Sequence, residues 1–359
     1  MNIRSVAYLE WAKARPAAAV NLSLSGLAGP ALADLGIDWT SLSLNGEHPY
    51  GYPPLLEAVA SRYGASVGDV CPMPGASQGI FSVCAALVGP GDIVLAERPA
   101  YESLVAVPRL LGADVRRFER RLENGYRVDP DEFRASLEPG TKLVLLTNPH
   151  NPSGVALSRE EVGALAAMAA ERRATLLVDE IYLEFLDGEA ARTSFGAAPN
   201  ISVTSSLTKV FGLGGLRCGW VLARAGLAAA LRKLMDHMFV EQVLIGEQIS
   251  ARLFARLDEM KAASRPFLAA NFGTVRAFME KAEGLEWAEP GPGVIAFPRL
   301  RGGGDAGELV RRLLEERSTC VVAGRFFEEP GHFRLGFGVP KDTLERGLDN
   351  LRAVLETMK

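Results

Sequence analysis

The chain has 359 residues, 48% of them apolar and 23% charged, with a formal net charge of −4. Such a length suits roughly two or three domains with well-filled cores. The weakly acidic balance, without any Lys/Arg block, excludes a surface built to coat nucleic acid.

At the N-terminus, Arg4, Glu10, Lys13 and Arg15 interrupt any signal-peptide core, and residues 1–20 read as an arm. No apolar stretch approaches the ~18 residues of a membrane span, so the expected setting is the cytoplasm, without membrane contact. From about residue 90 onward, short runs rich in Val, Ile and Leu alternate with amphipathic stretches. Candidate strands are 92–96, 142–147, 175–178, 201–205 and 217–222. They lack strict in/out alternation and read as strands buried on both faces. Between them, 159–171 carries an apolar helical stripe of Val162, Leu165, Ala166 and Ala169. Strands alternating with helices predict an α/β unit with a mainly parallel sheet.

The last third differs. A helical stretch over 246–282 is expected to break at Pro266. A Pro/Gly loop at 290–293, an apolar segment at 294–298, the glycine run 302–304, a helix over 306–316, a strand over 320–323, a segment at 333–337 and a last helix from Lys341 follow. This pattern predicts a smaller α+β domain. The expected division is 46–255 for the large domain, with 21–45 and 256–359 forming the small one. Cys71, Cys84, Cys218 and Cys320 are scattered, the pattern of free thiols and not of a disulfide framework or zinc site.

Three short motifs compete for attention. Gly75-Ala76-Ser77-Gln78-Gly79 matches the GxSxG of serine hydrolases, which makes a hydrolase using Ser77 the reading from another class. Pro72 and Pro74 argue for a loop where that motif needs a central strand. Ser206-Leu207-Thr208-Lys209 matches SxxK, but its companion motifs are missing. Gly212-Leu213-Gly214 opens like a dinucleotide fingerprint and then fails, with Arg217 at its last glycine position.

A different set of segments fits together. Pro49-Tyr50-Gly51-Tyr52-Pro53, Gly75-Ala76-Ser77-Gln78, Glu97-Arg98-Pro99-Ala100-Tyr101, Asn148-Pro149-His150-Asn151-Pro152-Ser153-Gly154, Asp179-Glu180-Ile181-Tyr182, Ser206-Leu207-Thr208-Lys209 with Gly212-Leu213-Gly214-Gly215-Leu216-Arg217, and Phe333-Arg334 occur in that order. In these segments the chain resembles the class I/II, fold-type I aminotransferases, from about Gly46 to Phe337. The resemblance implies pyridoxal phosphate as cofactor and transfer of an amino group between an amino acid and a 2-oxo acid. It implies that Lys209 carries the cofactor as a Schiff base and moves the α-proton. Asp179 would pair with the pyridinium nitrogen, and Asn151 and Tyr182 would donate to the phenolic oxygen. The amides of Ala76 and Ser77, with the side chains of Ser77, Ser206 and Arg217, would form the phosphate cup. Tyr101 would stack on the ring. Arg334, with Asn151, would bind the substrate carboxylate, and Gly26 would offer a backbone contact near it. Tyr50 would reach the phosphate of a neighbouring subunit, which implies a homodimer.

The same residues also serve carbon–sulfur lyases and decarboxylases, so those remain the alternatives within the cofactor class. Departures from the family pattern bear on the substrate. Residues 237–243 (HMFVEQV) contain no arginine where relatives acting on acidic substrates carry one, so aspartate is not the expected amino donor. Glu241 reads first as a solvated helical side chain and second as a partner for a basic substrate. Phe239, Trp39 and His48 are candidates to line a pocket for a large side chain.

Overall fold

The computed structural model describes residues 5–358, so Arg4, counted above among the N-terminal charges, lies outside it. The chain begins with α1 (Ala7–Ala14), the two-residue β1 (Val20–Asn21) and α2 (Pro53–Tyr63). There follow β2 (Val70–Met73), α3 (Ala76–Leu87), β3 (Ile93–Arg98), α4 (Ser103–Leu110), β4 (Asp114–Glu119) and α5 (Pro130–Ser136). Next come β5 (Thr141–Thr147), α6 (Arg159–Ala170), β6 (Thr175–Asp179), β7 (Ile201–Ser206) and β8 (Gly219–Leu222). These strands form one seven-stranded sheet in the order β2-β8-β7-β6-β5-β3-β4. Only β8 runs antiparallel to its neighbours.

The centre of the sheet explains the unbroken apolar runs. In β5, Leu143 to Leu146 are all fully buried, because β3 and β6 flank the strand and helices cover both faces. Helix α6 starts at a reciprocal capping box between Ser158 and Glu161 and buries Val162, Leu165, Ala166 and Ala169, the expected stripe. Two strands of this sheet escaped the sequence reading, both at its edges. β4 alternates exposed and half-buried residues, so its polar content hid it. β2 contains Pro72, and the proline objection to a strand there was wrong in one respect. Pro72 pairs opposite Trp220 on the outermost strand, where a missing amide costs no ladder bond on the open side.

The remainder comprises α7 (Ala225–Met238), α8 (Leu244–Phe254), α9 (Leu257–Lys281), β9 (Leu285–Glu286), β10 (Ile295–Ala296), β11 (Arg299–Leu300), α10 (Gly307–Arg317), β12 (Thr319–Cys320), β13 (Val322–Ala323), β14 (Phe333–Gly336) and α11 (Lys341–Glu356). The expected break at Pro266 is displaced. The helix ends at Phe254 and restarts at Leu257, while Pro266 lies within the 25-residue α9. Pro266 and Ala262 are both exposed, so water can satisfy the carbonyl that the proline leaves without an amide. The strand expected over 320–323 is two strands: β12 pairs with β1, and β13 pairs with β14.

A second core gathers Val20 and Leu22 with residues from Val275 to Val354. The segment after β1 ties the two cores together. Leu22 donates to the Cys320 carbonyl and accepts from Gly336, and Leu27 donates to the Lys209 carbonyl at 2.8 Å. Residues 23–26 are thereby stretched across the C-terminal ends of the central strands.

Candidate active site

Side chains at the C-terminal ends of parallel strands surround a cavity of about 290 Å³, the position where α/β sheets generally build sites. Asp179 is the last residue of β6, Ser206 the last of β7, and Tyr101 and Asn151 follow β3 and β5. Lys209 comes three residues after β7, where Gly26 lies against it. A Cβ on Gly26 would lie 3.0 Å from the Lys209 backbone and side chain, tighter than ordinary van der Waals contact, so the strap packs closely on the lysine. Lys209 Nζ donates to Ser25 Oγ at 3.1 Å. Burial pushes its ammonium below the usual range, Tyr8 and Asp179 oppose the shift, and Arg334 adds to it.

Asp179 is 3% exposed, and its carboxylate accepts from the Ile181 amide at 3.2 Å. Burial pushes it up to about 7 against that bond, with Glu97 adding to the rise and Lys209 opposing it. Tyr182, also lining the cavity, has its phenol raised by burial, with Arg334 and Ser25 acting the other way. A cationic N–H brought into the cavity would restore the ionised form of Asp179, which suits the pyridine ring of pyridoxal phosphate.

The opposite wall is suited to an anion. Helix α3 begins at Ala76 with no side-chain cap, leaving its first amides beside Ser77, Ser206 and Arg217. Gly75 has φ +101°, and a Cβ there would lie 2.5 Å from the Arg217 guanidinium. Arg217 is held by donation to the carbonyls of Pro74 at 2.6 Å and Gly214 at 3.2 Å. Ser206 Oγ accepts from the Thr208 amide at 3.3 Å. This wall, the carboxylate and the lysine together fit the cofactor.

Arg334, in β14, is fully buried and donates to Asn151 Oδ1 at 2.9 Å. Tyr101 lies 3.4 Å from Ser77 Oγ through its hydroxyl. Tyr50 is 41% exposed and does not line this cavity. Glu241 is exposed in the turn between α7 and α8, outside the cavity and not on a helix.

The hydrolase geometry is absent among the described residues. No histidine lines the cavity beside Ser77. His150 is fully buried, 2.7 Å from Ser153 Oγ and 2.8 Å from the Pro99 carbonyl, and burial drives its pKa well below the ordinary value.

Three contributors were given no role by the sequence. Tyr8 comes from α1, and Ser25 from the strap. Glu97 accepts from the Thr147 amide at 2.6 Å and pairs with the fully buried Arg120 at 2.9 Å. Tyr8 and Ser25 are set beside the site by chain segments whose local spacing says nothing of the distant sheet.

The raised Asp179 pKa makes a stability prediction. The folded chain keeps a proton at Asp179 up to about pH 7, while the unfolded chain releases it near the ordinary carboxyl value of 3.8. The associated stability is fully present below about pH 4 and is lost as pH rises through about 7. Cofactor-free protein is therefore expected to melt at falling temperature from pH 5 to pH 7.5, and Asp179→Asn to make that slope shallower. An unchanged slope in the variant would place the titration elsewhere.

Comparison with known proteins agrees with this arrangement. The profile of the family described as aminotransferase class I and II matches residues 42–351. Capreomycidine synthase of Streptomyces vinaceus is 30% identical over 306 residues, covering 84% of this chain and 79% of its own length. Arginine–pyruvate transaminase of Pseudomonas aeruginosa is 30% identical over 295 residues, covering 79% and 75%. In fold, a crystal structure of a PLP-dependent aminotransferase from Streptococcus suis superposes with a TM-score of 0.93 at 24% identity, over 100% of this chain and 99% of that one.

Proposed function

The chain belongs to the class I and II aminotransferases, and we propose that it moves an amino group between an amino acid and a 2-oxo acid with pyridoxal phosphate held at Lys209. The observation that carries this reading is a lysine and a buried carboxylate facing one cavity, with an uncapped helix N-terminus and an arginine along its wall.

When bound, pyridoxal phosphate supplies an electron sink that makes an α-proton of an amino acid removable. Lys209 anchors it and moves that proton, a task suited to an amine whose pKa is depressed by burial. Asp179 holds the proton of the ring nitrogen. Asn151 and Tyr182 would donate to the phenolic oxygen, and Tyr101 would cover the ring. The amides of Ala76 and Ser77 and the side chains of Ser77, Ser206 and Arg217 bind the phosphate. Arg334 binds the substrate carboxylate, with Asn151 fixing its plane, and Gly26 offers a backbone contact near the substrate.

Two finer assignments belong to the same proposal. Tyr50 lies exposed, outside its own cavity, which suits a role in the site of a second copy and hence a homodimer. The small domain is formed by 21–45 with 256–359, and the large domain by 46–255. For the substrate, Arg217 at the phosphate wall is the one arginine lining the cavity among the described residues, which disfavours an acidic side chain. The name of the transaminase relative makes arginine with pyruvate the first pair to assay.

The test is to add pyridoxal phosphate, record the visible spectrum, reduce with borohydride and map the modified peptide. A coloured adduct on Lys209 is expected; label on another lysine would reject the assignment. Arg334→Ala is expected to raise KM for the amino acid roughly 100-fold, because a charge-assisted bidentate contact is lost.

A further inference from the structure

The hydrogen bonds of Arg334 leave it unable to bind a carboxylate by two parallel bonds. Nη1 donates to Asn151 at 2.9 Å, while Nη2 donates both to the Tyr8 phenol oxygen at 2.7 Å and to the Ser23 carbonyl at 3.2 Å. Nε has no partner. A guanidinium has five N–H groups in a planar fork, one on Nε and two on each terminal nitrogen. Both hydrogens of Nη2 are therefore in use. Nη2 is the terminal nitrogen on the side of the Nε hydrogen, so both two-pronged edges of the fork, Nε/Nη2 and Nη1/Nη2, run through it. One Nη2 partner must release before a carboxylate is held bidentately.

The two partners differ in freedom. Ser23 offers a main-chain carbonyl within a strap fixed on both sides, by Leu22 to Cys320 and Gly336 and by Leu27 to Lys209. Tyr8 offers a side chain on α1, an eight-residue helix with no buried residue. That helix is attached through its first turn, where the Ala7 and Tyr8 amides donate to the Glu102 carboxylate at 2.9 and 2.6 Å. The phenol is the partner that yields.

We propose that Tyr8 is a specificity-determining residue of this site, its phenol oxygen standing in for a ligand carboxylate on Arg334 and excluding carboxylates too weakly held elsewhere to displace it. An amino acid, anchored also through its amino group, displaces the phenol; a plain monocarboxylate does not. The proposal rests on the reading of Arg334 as the carboxylate clamp.

The test uses the holoenzyme with propionate as probe, titrated calorimetrically, beside steady-state kinetics. Tyr8→Phe keeps the ring contacts with Trp11, Tyr101, Phe326 and Phe327 and removes only the oxygen. Propionate is expected to bind about tenfold more tightly to it, the scale of one hydrogen bond to a charged group. KM for the amino acid should fall as propionate affinity rises, whereas loosened packing would raise KM. Glu102→Gln, which weakens the attachment of α1 without touching the cavity, should shift propionate affinity in the same direction by roughly threefold. If Tyr8→Phe fails to fold, the sign of that second shift decides. Unchanged or weaker propionate binding in these variants overturns the proposal, provided Arg334→Ala still weakens amino-acid binding. If Arg334→Ala changes nothing, the clamp itself is misassigned and the proposal fails with it.

Discussion

Replacing Lys209 with alanine is expected to lower kcat by at least about 10⁴-fold, the upper range for removing a positioned acid–base group, because the same amine also anchors the cofactor. The phosphate wall is untouched by this change. Arg217, Ser206, Ser77 and the α3 N-terminus keep their places, since none of them bonds to the lysine side chain. The variant should therefore still bind pyridoxal phosphate, with weaker affinity and without the link that borohydride reduces and fixes. Equilibrium dialysis and single-turnover kinetics on the same sample separate the two effects. Retention of more than a hundredth of the wild-type kcat would mean that another residue moves the proton.

Asp179→Ala should act differently. The anchor survives, so borohydride still traps the cofactor on Lys209, but exchange of the α-proton with solvent slows by roughly 10²- to 10³-fold, the scale for losing a preorganised electrostatic partner. In wild type the carboxylate is buried between Glu97, Glu180 and Lys209 and is pushed up to about 7. A positive ring nitrogen is what returns it to the ionised state, and the attraction runs both ways. Proton exchange followed by NMR in heavy water reads this step directly. Equal and mild losses in both variants would contradict the division of roles between lysine and carboxylate.

Much of the fold was legible beforehand because its signals are local. Continuous apolar runs at β3, β5, β6 and β7 announced strands with no wet face, and the stripe of α6 matched its buried side residue for residue. Edge strands were not legible. β4 has one paired edge and keeps its charges, and β2 accommodates a proline that a central strand would refuse. The displaced helix break has the same origin, since the cost of Pro266 depends on whether water reaches the freed carbonyl.

For the site, the residues expected around the cofactor were those lying in short ordered segments, where a strand end or helix start fixes neighbours a few positions apart. Asp179 with Tyr182, and Ser206 with Lys209, are of this kind. The sequence by itself determined the family and the cofactor. The tertiary structure alone decided that Ser25 meets Lys209 across 184 positions and that Arg334 gives its Nη2 hydrogens to Tyr8 and Ser23, more than 300 positions away. Such contacts leave no periodicity or spacing to read. They arise where the strap through residues 20–27 pairs with the distant strand β12 and where α1 is attached at Glu102, and local propensities of the chain encode neither meeting.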